Sequence, residues 1–249
     1  MNIIEHKMMA TIKATAVVSG NSYGRRRHHA SLLKHGFKLS ITKTAKLMVK
    51  ADVRAKKPSK KHYYPKGGKV HHIAPNHLDR AFKQTRVNTH WVGDITYIKT
   101  YQGWSYLACV LDLTTKEVVG FALSKSPNAQ LAKEALNNAI SKQHPDTTKL
   151  LFHSDQGVQY SAKRFVKHIN LLKIKQSMSR RGNCWDNSVM ERFFRSLKSE
   201  RLNHLSFINH DAVCHSVESY IYFYNYTRLH SSLGYITPAQ RMAILKKVA

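Results

Sequence analysis

Leu150-Leu151-Phe152-His153-Ser154-Asp155 is a short apolar run that ends in an acid, and Gln156-Gly157 interrupt the pattern directly after it. A run of that length closed by a glycine reads as a buried strand rather than a helix. Thirty-five residues separate Asp155 from the next acid of interest, Glu191. Glu191 sits in Asn187-Ser188-Val189-Met190-Glu191-Arg192-Phe193-Phe194-Arg195-Ser196-Leu197-Lys198, whose apolar positions follow helical spacing. A third acid, Asp94, lies sixty residues upstream of Asp155, again on a short apolar run.

Working outward, three strand-like runs precede this stretch: Val92 to Thr100, Tyr106 to Leu113 and Val118 to Leu123. Gln102-Gly103 and Thr114-Thr115-Lys116 between them suit hairpin turns. Pro127 opens a helix with Leu131, Ala132, Ala135, Leu136, Ala139 and Ile140 on one face, and Pro145 lies beyond its end. After the Asp155 strand, Ser161 is the expected cap of a helix carrying Phe165, Ile169 and Leu172. Lys173 to Met178 alternates like a strand, and after Gly182 the Glu191 helix begins. Three antiparallel strands, then helix, strand, helix, strand and helix, predict an α/β fold. The order fits a ribonuclease-H-like mixed sheet flanked by helices. Asp211 to Tyr226 reads as an aromatic-rich helix packed on that core, followed by a loop and a short helix from Pro238.

Charge divides the 249 residues unevenly. Lys and Arg number 41 against 14 Asp and Glu, a formal net charge of +27 that calls for a polyanionic partner. Residues 1–90 carry 20 basic and 3 acidic side chains, and residues 91–249 carry 21 and 11. The expected organisation is a basic helical module at 1–55, a basic linker at 56–90 and a globular core with a helical extension at 91–249. Within the module, Arg25 to Lys34 stops at Gly36, and Ser40 or Thr42 can cap a second helix through Leu47 and Val49. Two basic helices around a glycine turn suit a helix-turn-helix on DNA, and equally a structural hairpin. Lys60 and Lys61 in the linker offer phosphate contacts without base specificity. No apolar run approaches the roughly 20 residues of a membrane span, and residues 1–7 lack the pattern of a signal peptide. A cytoplasmic protein is the expectation. The three cysteines, 109, 184 and 214, form no C-x-x-C pair.

Carboxylates retained in so basic a chain suit metal-dependent phosphoryl transfer. That chemistry needs hard cations about 3.5–4 Å apart on oxygen ligands more than it needs a covalent nucleophile. Asp94, Asp155 and Glu191 could converge on one rim of the sheet. Lys198 follows Glu191 by seven residues, so both project from one helix face, with Arg195 between them. Each acid also has a structural reading. Ser188-x-x-Glu191 has the spacing of a capping box, and Asp94 and Asp155 could cap turns. Asp112 competes for the first position, and Asp186 competes with Glu191 but resembles a helix cap. No G-x-S-x-G elbow and no G-x-x-x-x-G-K loop is present.

Asp94-Ile95-Thr96-Tyr97, His153-Ser154-Asp155-Gln156-Gly157-Val158-Gln159-Tyr160 and Asp186-Asn187-Ser188-Val189-Met190-Glu191-Arg192-Phe193-Phe194 resemble the three acidic motifs of OrfB-type insertion-sequence transposases, in the retroviral-integrase superfamily. The tail Tyr224-Asn225-Tyr226-Thr227-Arg228-Leu229-His230 with Pro238 is similar to the family's C-terminal signature, and Ser22-Tyr23-Gly24-Arg25-Arg26 to the start of its N-terminal region. The likeness runs from about residue 22 to 242. It implies an Asp-Asp-Glu triad of Asp94, Asp155 and Glu191 holding two Mg²⁺ (or Mn²⁺) ions. Lys198, with Arg195, Arg25, Arg26, Lys60 and Lys61, would contact DNA. The implied activity is 3′-end cleavage and strand transfer at terminal inverted repeats, by a homo-oligomer acting on target DNA. The product of an upstream overlapping frame is a further implied partner. The alternative is a DNA-binding remnant that regulates transposition without chemistry. Three positions depart from the family pattern: Leu229 where proline is frequent, His28 where an aliphatic residue is usual, and Asp52 where glycine is common.

Overall fold

The computed structural model describes residues 3–57 and 72–247. Helices α1 (Ile3–Val18), α2 (Arg25–Lys34) and α3 (Ile41–Lys50) pack around Ile12, Leu32 and Leu47. Of the two candidate caps for α3, Ser40 is the one used, its hydroxyl accepting from the Lys43 amide at 3.1 Å. Gly36 ends the turn after α2 with φ +82°, a conformation that costs a β-carbon-bearing residue about 1 kcal/mol or more.

The sheet contains β1 (His90–Thr100), β2 (Gly103–Asp112), β3 (Val118–Ser124), β4 (Leu151–Ser154) and β5 (Lys175–Met178) in the order β3-β2-β1-β4-β5. The first three strands are antiparallel, while β4 runs parallel to both β1 and β5. Alternation along the strands sorts residues onto two cores. Trp91, Ala108, Val110 and Phe152 face α4 (Ala129–Gln143) and α6 (Lys163–Leu171). Val92, Leu107, Cys109 and Leu111 face α7 (Ser188–Glu200) and α8 (His210–Tyr226). Complete burial of side chains such as Trp91, Phe152 and Phe193 contributes roughly 1.5–3 kcal/mol each. At Gly120 a β-carbon would collide with the α4 backbone at Ala135 and Ala139. That glycine lets helix and sheet close together.

Two expected caps are corrected. Ser161 does not cap α6. Gly157 instead starts a separate turn of helix, α5 (Val158–Ser161), so Ser161 is already helical and α6 begins after Ala162. Ser188 does not cap α7 either. A 3-10 turn, Cys184–Asn187, feeds the helix directly, which makes Asn187 the flanking residue and Ser188 the first helical one. Glu191 therefore falls one position beyond a capping box. Farther on, Thr237 and Gln240 do form one at α9 (Pro238–Lys246).

The three departures from the family pattern each have a structural consequence. The Leu229 amide donates to the Tyr23 hydroxyl at 2.7 Å, a bond that proline cannot make. Asp52 adopts φ +51°, the left-handed conformation glycine would take freely. His28 is fully buried, and neither ring nitrogen has a partner among the described residues. The α1–α3 module is joined to the core where Glu200, at the end of α7, receives three side chains. Arg228 donates to both of its oxygens at 2.6 and 2.8 Å, Tyr220 at 2.9 Å and Arg27 at 3.3 Å. Arg27 thus ties the module to the end of α7, and Tyr23 ties it to the Thr227–Leu229 segment.

Candidate active site

Parallel pairing of β1 with β4 matches Gly93 to Ser154. One step beyond this pair are Asp94, within β1, and Asp155, the residue directly after β4, on the face that looks at α7. Gly93 permits this approach, since a β-carbon there would fall on the Phe152 ring. Asp94 spends one carboxylate oxygen on the Ile95 amide at 2.7 Å, and Asp155 spends one on the Gly157 amide at 3.0 Å. Among the described residues neither second oxygen has a hydrogen-bond partner. Burial, then the neighbouring Asp155 charge, pushes the Asp94 carboxyl well above the usual range. Burial likewise raises Asp155, although one side of Asp155 opens to solvent. Two carboxylates that resist sharing negative charge, each with an oxygen to spare, form a donor set suited to a hard cation.

Helix α7 supplies the other predicted residues. Met190, Phe193, Phe194 and Leu197 are buried, leaving Glu191 and Arg195 exposed on the opposite side. Burial raises the Glu191 carboxyl, and its charge adds to the load on Asp94. Lys198 lies about 10 Å further along the axis. It is half-buried, with its pKa lowered by burial and partly restored by Asp94. Lys198 is thus partly sunk from solvent within reach of the Asp94 charge, whereas Arg195 is displayed outward. The geometry brings Asp94 and Asp155 together and leaves Glu191 standing off. Among the described residues no three His, Cys, Asp or Glu side chains are close enough to hold one ion.

Both rival acids have structural duties. Asp112 is fully buried and accepts from the amides of Asn88, Thr114 and Thr115 at 2.8–2.9 Å, fixing the β2–β3 turn against the start of β1. Asp186 is no helix cap. It is buried between two guanidiniums, accepting from Arg180 at 2.9 Å and Arg80 at 2.8 Å, and Arg180's hydrogen bond holds its carboxyl far below the usual range. Arg25 and Arg26 are exposed in the first turn of α2. Lys60 and Lys61 lie outside the described residues. Two neighbours of the pair escaped the sequence reading. Cys109 stands opposite Asp94 across the β1–β2 ladder, and the buried Tyr160 phenol is pushed up by burial and then by Asp94 and Asp155. The hairpin register could have located Cys109, and Tyr160 was within the motif already quoted.

Comparison with known proteins agrees with this architecture. Residues 84–184 match a family model described as integrase core domain, and residues 172–238 match a second model of the same description. The chain is 36% identical to the 31 kDa protein of insertion element IS600 from Shigella sonnei, over 94% of this chain and 86% of the relative. It is 34% identical to the transposase for insertion sequence element IS904 from Lactococcus lactis, over 91% and 90%. Identity to the InsK transposase of IS150 from Escherichia coli is 38%, over 88% and 76%. Among solved structures, the simian T-cell lymphotropic virus intasome superposes with TM-score 0.54 at 19% identity, covering 91% of this chain and 73% of that one. The HTLV-2 integrase catalytic core in complex with magnesium gives 0.50 at 18% identity, covering 62% and 96%. These likenesses show the ribonuclease-H-like fold.

Proposed function

This chain belongs to the insertion-sequence transposases with an integrase core domain, and from that premise we propose that Asp94, Asp155 and Glu191 are its catalytic carboxylates. The family makes it a polynucleotidyl transferase acting in transposition. The observation that carries the residue assignment is the Asp94–Asp155 pair: one step beyond the paired Gly93 and Ser154, raised by burial, and each with one uncommitted oxygen among the described residues. These two residues, joined by Glu191, would hold Mg²⁺ or Mn²⁺, as a pair of ions. When bound, such ions supply a lowered pKa for the attacking oxygen and charge stabilisation for the leaving one.

The chain's own groups do the positioning. β1 and the residue just past β4 present the aspartates in the middle of the sheet, with Gly157 and Ile95 amides fixing one oxygen of each. Lys198 keeps cationic charge beside Asp94 and reaches DNA next to the reacting phosphate. Arg195 on the exposed face of α7, and Arg25, Arg26, Lys60 and Lys61 before the core, contact backbone phosphates along the duplex. Water attacks phosphorus at the element's end and the P–O3′ bond breaks. The freed 3′-hydroxyl then attacks a target phosphodiester and displaces its 3′-oxygen, so no energy-rich cofactor is consumed. The substrates are the element's terminal inverted repeats and target DNA, bound by a homo-oligomer at the nucleoid in the cytoplasm. The product of an upstream frame joins it there.

Replacing Glu191 with Gln and assaying strand transfer on end-containing DNA tests the reading. A loss of roughly 100-fold or more is expected, from several kcal/mol of charge stabilisation, and undiminished transfer sinks the assignment. A second reading, DNA binding without chemistry, has one observation behind it: Glu191 stands off from the aspartate pair. It requires that the unaltered chain bind ends and never cleave them.

A further inference from the structure

The 179–187 segment is fastened to both catalytic aspartates' neighbours, yet it carries a bare indole. At its start, the Ser179 amide donates to the Ser154 carbonyl at 2.9 Å, and the Gln156 side chain donates to the Ser179 carbonyl at 3.0 Å. Ser154 and Gln156 are the residues on either side of Asp155. At its end, the Asn187 side-chain amide donates to the Gly93 carbonyl at 3.3 Å, beside Asp94. In between, Asp186 is pinned by Arg80, Arg180 and Asn76. Trp185 immediately precedes Asp186 and is 69% exposed. Arg180 is spent on Asp186, and Arg181, exposed on the same loop, adds cationic charge.

Displaying an indole to water forgoes the burial that large aromatics normally gain. Among the described residues, the other exposed aromatics are placed differently. Tyr101 and Trp104 are at the far tip of the β1–β2 hairpin: Tyr101 is seven residues or roughly 23 Å of strand from Asp94, and Trp104 stands opposite Lys99, five residues or roughly 17 Å away. Tyr222 and Tyr226 lie 5.0 Å apart and cover each other. Trp185 alone among them is held on the rim of the aspartate pair. An aromatic face beside a free arginine takes a nucleobase, with the guanidinium on its phosphate. Bases inside a duplex are already stacked on both faces, so the base that can reach it is unpaired or terminal.

Resting on the carboxylate assignment above, we infer that Trp185 is a stacking platform for an unpaired base of the DNA end, next to the phosphodiester that is cut. It holds the strand so that the reacting phosphate stays over Asp94 and Asp155. Base–aromatic stacking contributes about 1–3 kcal/mol, equivalent to roughly 5- to 150-fold in binding or rate.

The test uses the full chain with Trp185→Phe and Trp185→Ala, on end-containing DNA with Ca²⁺ in place of Mg²⁺. Because the indole is exposed, neither variant removes core packing. Tryptophan emission should fall on adding the DNA end to the unaltered chain. That fall should vanish in Trp185→Phe, whose remaining indoles are Trp91 and Trp104, although anisotropy still reports binding. With Mg²⁺ restored, Trp185→Ala should cleave 5- to 150-fold more slowly and Trp185→Phe within about threefold of the unaltered chain. Quenching that persists in Trp185→Phe overturns the inference. So does full cleavage by Trp185→Ala, or a changed oligomeric state with unchanged quenching. Running Glu191→Gln alongside keeps the two readings apart: active Glu191→Gln defeats the carboxylate assignment, whereas absent quenching beside an inactive Glu191→Gln defeats only the stacking.

Discussion

Replacing His28 with Leu should stabilise the α1–α3 module, and more so at pH 5 than at pH 7. The imidazole is completely buried, neither nitrogen has a partner among the described residues, and its one ring contact is edge-on to Tyr23 at 6.0 Å. Burial pulls its pKa down to about 4, while in the unfolded chain it titrates near the ordinary value of about 6.5. The folded pKa is depressed for a base, so the unfolded state takes up the proton first. The neutral ring's contribution is whole above pH 6.5 and drains away as pH falls towards 4. Integrating between those two pKa values gives about 2 kcal/mol lost from pH 7 to pH 5. Leucine has no such slope and also removes two unsatisfied nitrogens, each costing about 1–3 kcal/mol when buried. His153 and His230 are likewise depressed to about 4 by burial. The unaltered protein and the variant share those two slopes, so their difference isolates His28. Urea unfolding at pH 5 and 7 reads that difference globally, and amide exchange across α1–α3 reads it if the module opens on its own. A variant that loses as much stability between pH 7 and 5 as the unaltered chain, to within about 0.5 kcal/mol, would refute the reasoning.

Other outcomes follow from the same contacts. Glu200→Gln leaves Arg228, whose side chain is 5% exposed, buried without its carboxylate, and should cost about 3–5 kcal/mol in chemical denaturation. Arg27→Met removes only the outermost donor to Glu200 and should cost far less. Because burial raises the Asp94, Asp155 and Glu191 carboxyls, Mg²⁺ held there as proposed would displace protons that linger above the ordinary carboxylate range. Affinity should therefore fall as pH drops through the raised values, and calorimetry in two buffers of different ionisation enthalpy should detect proton release. Buffer-independent heats would argue that the aspartates are already ionised before the metal arrives.

Local chemistry made much of the fold legible. Alternation along Val92–Thr100 and Tyr106–Leu113, turn residues at Gln102-Gly103, and the Leu131–Ile140 periodicity named strands and helices that the structure contains. Such signals work because burial of one face imposes period 2 on a strand and 3.6 on a helix, and both can be read within about ten residues. The errors were also local. Ser161 and Ser188 have the right side chain for a cap, but capping needs an extended backbone at that residue. Here each serine is already helical, owing to the turn that begins at Gly157 and the 3-10 turn that precedes α7.

Tertiary structure alone decided which acids meet. Asp112 and Asp94 end comparable apolar stretches, and nothing local separates them. Pairing of β1 with β4 carries Asp94 to Asp155, while Asn88, Thr114 and Thr115 close around Asp112. In the same way Asp186 was drawn between Arg80 and Arg180, and Lys198 came within reach of the Asp94 charge. By itself the sequence determined the elements, the basic character and the motif that holds the three carboxylates. Register and burial, which depend on residues sixty or a hundred positions apart, determined that two of those carboxylates share one edge and strain against each other's charge, with the third standing off on α7.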